Sequence, residues 1–229
     1  MAYNNGPKII TNGLVLCLDA ANAKSYPGSG TTWTDLSGNS RNGTLAGGAT
    51  YNSLNKGSIL FDGTDDVINI GSSSYIFSGG TAEIWTKLTS NNRQQGFLGI
   101  QSGSGPSYIN LWMGTNNLMR WEVIGNTSLT YLAINSTTAF TTGVWYYVVA
   151  TFDGFTNRIY INGTQETSST TGGTNVPILT TTTAAIGAYS QGPAYPLAGN
   201  IALAKVYNRA LSASEILQNY NATKGRFGL

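Results

Sequence analysis

Residues 144–164, VWYYVVATFDGFTNRIYINGT, contain two runs of β-branched and aromatic residues, separated by Asp153-Gly154 and followed by Asn162-Gly163. Such runs favour extended backbone, and Asp-Gly and Asn-Gly supply the turns that reverse a chain, so the stretch reads as a β-hairpin. Side chains alternate across a strand. Trp145, Tyr147, Val149 and Thr151 therefore face one way, and Tyr146, Val148, Ala150 and Phe152 the other. Both sets are largely apolar, which predicts a central strand covered on both faces.

Working outward, apolar or alternating runs recur at short intervals. They cover Ile9 to Asp19, Ser58 to Phe61, Asp66 to Ile70, Ala82 to Leu88, Phe97 to Ile100, Tyr108 to Met113, Leu118 to Ile124 and Thr130 to Ile134, and after the hairpin Ala184 to Gly187 and Gly199 to Tyr207. Gly, Asn and Ser turns separate them, a density that predicts an all-β, two-sheet antiparallel sandwich. Residues 20–57 read as a long irregular excursion anchored by Trp33, Leu36 and Leu45, and Glu166 to Asn175 as an exposed loop. One short C-terminal helix is expected from Ala213 to about Thr223. Ser212 serves as N-cap with Glu215 reaching back to it, Leu211 and Ile216 form a hydrophobic staple, and Lys224-Gly225 closes the helix.

No charge run or Pro-rich linker divides the 229 residues, so 1–229 is read as one domain, with an N-terminal arm (1–8), a capping helix (212–223) and a tail (224–229). Only 10% of residues are charged and the net charge is +2, which gives no footprint for nucleic acid. Cys17 is the only cysteine and histidine is absent, which excludes intrachain disulfides, Cys-based zinc sites, Ser-His-Asp and Cys-His catalysis and histidine metal sites. The first residues, MAYNNGPKII, lack the basic start and apolar run of a signal peptide, and no segment reads as membrane-spanning, so synthesis in a cytoplasm with no membrane partner is expected.

The segments LVLCLDA, WTDLSGNSRNGTL, ILFDGTDDVINIG, TAEIWTK, WYYVVATFDGFTNRIYING and GNIALAKVYNRALSASEI occur in an order and spacing that resemble the laminin-G-like, concanavalin-A-like jelly-roll domains. The terminal LSASEILQNYNATKGRFGL is similar to the carboxyl terminus of laminin-G-like proteins of tailed bacteriophages. This resemblance implies a non-enzymatic virion structural protein: a capsid decoration, fibre, neck or tail component that docks on other virion proteins and on copies of itself in a symmetric array. The alternative is a carbohydrate-binding adhesin with glycan partners, and a glycoside hydrolase is the remote third reading.

Three groups of residues carry candidate chemistry. Retaining glucanases need two carboxyl groups about 5 Å apart, but Glu83, Glu122, Glu166 and Glu215 are scattered and no Glu-x-Asp-x-(x)-Glu pattern occurs, so no catalytic residue is assigned. Relatives often hold calcium at a rim of the sandwich, and Asp62, Asp65 and Asp66, with Asp35 and Asn39 from the long excursion, offer the oxygens; the competing reading is a turn whose side chains cap local amides. Ala202 and Leu203 stand where relatives often carry acids. If Gly114 to Asn117 is a four-residue loop, Trp112 faces Met119 and Asn110 faces Trp121, which gathers Tyr108, Asn110, Trp112 and Trp121 on one glycan-binding face; alternatively these rings fill the space between sheets. Finally, Arg226, Phe227 and Leu229 either pack back on the sandwich or form a docking tail for a neighbouring subunit.

Overall fold

The computed structural model describes residues 7–76, 79–102, 108–124, 131–170, 178–189 and 194–229; of the N-terminal arm, residues 1–6 lie outside this set. The strands are β1 (Leu14–Asp19), β2 (Thr32–Trp33), β3 (Gly43–Ala46), β4 (Thr50–Asn52), β5 (Ser58–Asp62), β6 (Val67–Ile76), β7 (Gly80–Leu88) and β8 (Gln95–Ser102). They continue as β9 (Tyr108–Met113), β10 (Leu118–Ile124), β11 (Tyr131–Ala139), β12 (Trp145–Phe152), β13 (Thr156–Ile161), β14 (Thr164–Thr170), β15 (Ile178–Ile186) and β16 (Ala198–Tyr207), before helix α1 (Ala213–Thr223).

The strands form two antiparallel sheets. The first runs β14-β13-β12-β7-β16-β5-β4, with β1 also on β16; the second runs β11-β10-β9-β8-β15-β6-β3-β2. One edge of β16 pairs along its length with β7, while the other is shared: Ala198–Ile201 pair with β5 and Leu203–Tyr207 with β1. The expected two-sheet sandwich is therefore present, and among the described residues no helix is long and apolar enough to cross a membrane.

The hairpin that anchors the sequence reading occupies its expected place. β12 lies between β13 and β7 and is buried throughout. Tyr146, Val148, Ala150 and Phe152 enter the core between the sheets, where they meet Phe61, Ile84, Phe97 and Leu111. The alternate set, Trp145, Tyr147 and Val149, enters a second core on the outer face of the first sheet. The Asp153 turn is longer than Asp-Gly alone, because Phe152 pairs with Asn157 and the Asp153 carboxylate accepts the N–H groups of Phe155 and Thr156. Asn162 and Gly163 make the tighter reversal, with φ of 52° and 82° between the paired Ile161 and Thr164. That turn starts β14, so the stretch expected as a loop from Glu166 begins as a polar edge strand, a composition that discourages pairing with other chains.

Helix α1 seals the second core. Ser212 Oγ accepts the Glu215 N–H, and Glu215 Oε2 accepts the Ser212 N–H at 2.9 Å, which completes the capping box. Leu211 and Ile216 are both buried against Trp85, Tyr160 and Tyr207. Burying each such apolar side chain contributes roughly 1.5–3 kcal/mol. Arg226 and Phe227 belong to the same lid. Arg226 pairs with Asp19 at 2.7 Å and donates to the carbonyls of Asn55 and Gly57, while the Phe227 ring stacks on Trp85 with centroids 4.0 Å apart. The tail thus folds back on the sandwich, the first of the two expected arrangements, and Leu229 is exposed. Cys17 is buried in β1, and burial pushes its thiol up to about 12, so it is unreactive at neutral pH.

Candidate functional site

The β9–β10 hairpin decides which aromatic rings reach the surface. Met113 pairs with Met119, Trp112 with Arg120, Leu111 with Trp121, Asn110 with Glu122 and Tyr108 with Ile124. The register is one residue away from that given by a Gly114–Asn117 loop, and a one-residue slip turns every side chain of a strand to the opposite face. Trp121 is accordingly in the core between the sheets, where its indole N–H donates to Asn157 Oδ1 at 3.1 Å. Tyr108, Asn110 and Trp112 do share the outer face, and Arg120 and Glu122 take the place expected of Trp121.

Two further rings come from the loop between β15 and β16. Gly96 and Gly99 on β8 allow that loop to lie on the sheet: a Cβ at Gly96 would sit 2.0 Å from Tyr189 N, and one at Gly99 would sit 2.1 Å from Tyr189 O. The Gly96 N–H donates to the Tyr195 carbonyl at 2.7 Å. This contact helps hold Tyr195 at φ 53°, a left-handed conformation that is costly for a bulky residue. Tyr195 stacks on Trp112 with centroids 5.9 Å apart and planes 21° from parallel, and Tyr189 meets both rings edge-on.

Polar groups surround the rings. Arg120 Nε lies 2.6 Å from Glu122 Oε1, the Tyr189 hydroxyl donates to Glu122 Oε2 at 3.1 Å, and Arg120 donates to Asn135 Oδ1. Burial raises the Tyr189 hydroxyl well above its ordinary pKa, so it remains a hydrogen-bond donor. The Asn110 amide is buried beside Tyr189 with no well-aligned partner. Beside this cluster a cleft of about 270 Å³ is lined by Gln94, Trp112, Thr115, Asn116, Arg120 and Asn135. Sequence reading finds Tyr108, Asn110 and Trp112 but misses Tyr189 and Tyr195, whose signal is the two glycines of β8 together with the YSQGPAY segment.

The acidic corner is separate from the expected excursion ligands. Oxygens of Asp62, Asp65 and Asp66 lie within 4.8 Å of one another. Asp66 is buried; its Oδ2 accepts the Asp62 N–H at 2.7 Å, its Oδ1 has no hydrogen-bond partner, and burial raises its pKa. Asp62 also caps the turn by accepting the Thr64 N–H. Three carboxylates, one with an unsatisfied buried oxygen, fit a hard cation such as calcium. Asp35 and Asn39 do not join them. The Asp35 carboxylate accepts from the N–H groups of Cys17, Ser37 and Arg41 and from Ser37 Oγ, and the Asn39 amide donates to Ser37 and the Leu14 carbonyl, so both organise their own loop.

Each glutamate is engaged by donors rather than by a second carboxylate. Glu83 pairs with Lys205, Glu122 with Arg120, and Glu215 with Arg209, while Glu166 accepts from Thr137 and Thr138.

No curated protein matches the chain by sequence. Among solved structures it is similar to domain 4 of AbnA, a GH43 extracellular arabinanase from Geobacillus stearothermophilus, in complex with arabinotriose (TM-score 0.69, 18% identity, covering 90% of this chain and 98% of that one). It is also similar to the binding domain of Paraclostridial Mosquitocidal Protein 1 (TM-score 0.68, 15% identity, 93% and 52%). The ligand-binding domain of botulinum neurotoxin serotype D in complex with N-acetylneuraminic acid gives a TM-score of 0.64 at 17% identity, over 92% of this chain and 51% of that one. The chain thus spans about half the length of the toxin domains, and these likenesses establish fold. The sequence profile described as the concanavalin A-like lectin/glucanases superfamily, a laminin G family, matches residues 62–217, well over half of the chain, and the protein belongs to that family.

Proposed function

We propose that the domain binds carbohydrate, without catalysis, at the cleft on the outer face of the second sheet. The observation that carries this reading is the cluster of Trp112, Tyr189 and Tyr195 beside a cleft edged by Gln94, Asn116, Arg120 and Asn135. Aromatic faces suit the C–H-rich face of a sugar ring, and amides and a guanidinium suit its hydroxyls. The neighbours solved with arabinotriose and N-acetylneuraminic acid support the ligand class. The scattered, individually engaged glutamates support a binding role over hydrolysis. In the Asp62–Asp66 corner, calcium would take oxygens of Asp62, Asp65 and Asp66 and supply structural cross-linking of the turn.

Glycan-array screening followed by titration calorimetry tests the proposal. A ligand bound by the natural chain and lost in Trp112→Ala and Tyr195→Ala, with unchanged circular dichroism, is the expected result. Equal binding by both variants, or no ligand on a broad array, overturns it. The finer reading, a decoration or fibre component of a tailed-phage particle, is compatible with glycan binding and rests on the similarity of the terminal LSASEILQNYNATKGRFGL. Mass spectrometry of purified particles tests it: the chain is expected among their proteins, and its absence removes the virion role.

A further inference from the structure

Residues 89–94 carry the chain from β7 on the first sheet to β8 on the second, and Gln94 among them lines the aromatic cleft. Its two neighbours reach different walls of that cleft. The Asn92 N–H donates to Asn117 Oδ1 at 2.6 Å, and Asn117 Nδ2 donates to Asn92 Oδ1 at 2.8 Å. Both residues are left-handed, with φ of 57° and 61°, a conformation that asparagine tolerates better than most residues. The Asn117 N–H also closes turn 114–117 on the Gly114 carbonyl at 3.0 Å, so this clasp ties down the wall that Thr115 and Asn116 form.

Arg93 reaches the Tyr195 segment. Its Nη2 donates to the Gly63 carbonyl at 2.7 Å and to the Pro196 carbonyl, one residue beyond Tyr195, at 3.4 Å. Gly63 clears space for the guanidinium, because a Cβ there would lie 2.8 Å from Arg93 Nη1. Gln95 Oε1 completes the seam by accepting the Ala198 N–H at 2.7 Å.

One short loop therefore holds two walls of the cleft through Asn92 and Arg93, neither of which lines it. Hydrogen bonds near the surface add little to global stability, but each removes freedom from the wall it holds, and a cleft ordered in advance loses less entropy when it captures a ligand. We propose that Arg93 and the Asn92–Asn117 clasp are positioning residues of the glycan cleft, Arg93 for the Tyr195 ring and the clasp for the wall of Thr115 and Asn116. The inference rests on the carbohydrate reading for its ligand, and half of its test needs no ligand.

Two variants of the full chain separate the walls. Arg93→Met keeps a side-chain stem and removes the donors, while Asn117→Gly keeps the left-handed backbone and removes both clasp bonds. Amide hydrogen exchange followed by NMR reads each wall alone: the Gly96 N–H is bonded to the Tyr195 carbonyl, and the Phe140 N–H to the Asn117 carbonyl at 2.8 Å. Arg93→Met is expected to speed exchange at Gly96 but not at Phe140, and Asn117→Gly the reverse, with the melting temperature unchanged in both. Calorimetry with the tightest-binding glycan of the array is expected to show the dissociation constant rising about fivefold in each, the effect of about one net hydrogen bond. Unchanged exchange at the wall a variant should loosen overturns that assignment. Faster exchange at both amides together with a lower melting temperature also overturns it, leaving a structural role. Wall-specific exchange with unchanged glycan affinity overturns positioning, whereas wall-specific exchange in a chain that binds no glycan supports the ordering of the walls and overturns the carbohydrate reading instead.

Discussion

The two outer faces of the sandwich use the same ingredients for opposite ends. On the first sheet Trp85, Tyr147, Tyr160 and Tyr207 point outward and are sealed by α1 and Phe227. On the second sheet Tyr108 and Trp112 point outward and, among the described residues, are met by Tyr189 and Tyr195 from a loop, with a cleft alongside. Polar groups follow the same division. Lys205, Glu83 and Asn219 satisfy one another in a dry layer, whereas Arg120 and Asn135 line a cleft open to solute. Outward aromatic rings at alternate strand positions therefore do not announce a binding face; what distinguishes the two faces, among the described residues, is the lid that α1 and Phe227 supply to one of them.

The sharpest way to break the comparison is on the sealed side. Lys205→Met leaves Glu83 buried without its counter-charge and is expected to cost about 3–5 kcal/mol by denaturant unfolding. Phe227→Ala empties the slot between Trp85 and Trp145 and should cost about 3 kcal/mol in the same measurement. On the open face the readout changes from stability to affinity. Tyr195→Gly relieves the left-handed backbone, so its melting temperature should hold or rise, while calorimetry should show glycan affinity falling about fivefold through lost stacking of about 1 kcal/mol.

The smallest effect concerns the lid's hinge with acid. The hydrogen-bonded Arg209 guanidinium, with the Ser212 amide, lowers the Glu215 carboxyl from 4.5 to about 2. A carboxyl depressed in the folded state contributes stability that is fully present above its unfolded pKa and is lost as pH falls through the folded one. The Glu215 contribution should therefore fade between about pH 5 and pH 2, and Glu215→Gln should flatten that part of a stability-versus-pH curve.

Much of the frame is legible in the sequence because its signals are local. The alternation in β12, the Asn162-Gly163 turn and the Ser212/Glu215 box each depend on neighbouring residues, and each appears where the chain predicts it. The site is less legible because it depends on pairing. One extra loop residue between Met113 and Met119 sends Trp121 inward, and Tyr195 reaches Trp112 only because the distant Gly96 and Gly99 clear a path. Arg226 looks like a free tail in sequence, yet its partners Asp19 and Asn55 lie more than 150 positions earlier.

The position of the last two strands has a consequence for biosynthesis. β15 lies between β8 and β6, and β16 joins β7 to β5 and β1, so each sheet is completed by a strand made after all its other strands. A nascent chain that has emerged only as far as β14 holds both sheets broken at the missing strand, with open inner edges, the surfaces most prone to pairing with a neighbour. Folding should therefore be all-or-none, beginning once Tyr207 has cleared the ribosome, and a ribosome-stalled series should show protease resistance appearing in one step beyond that residue.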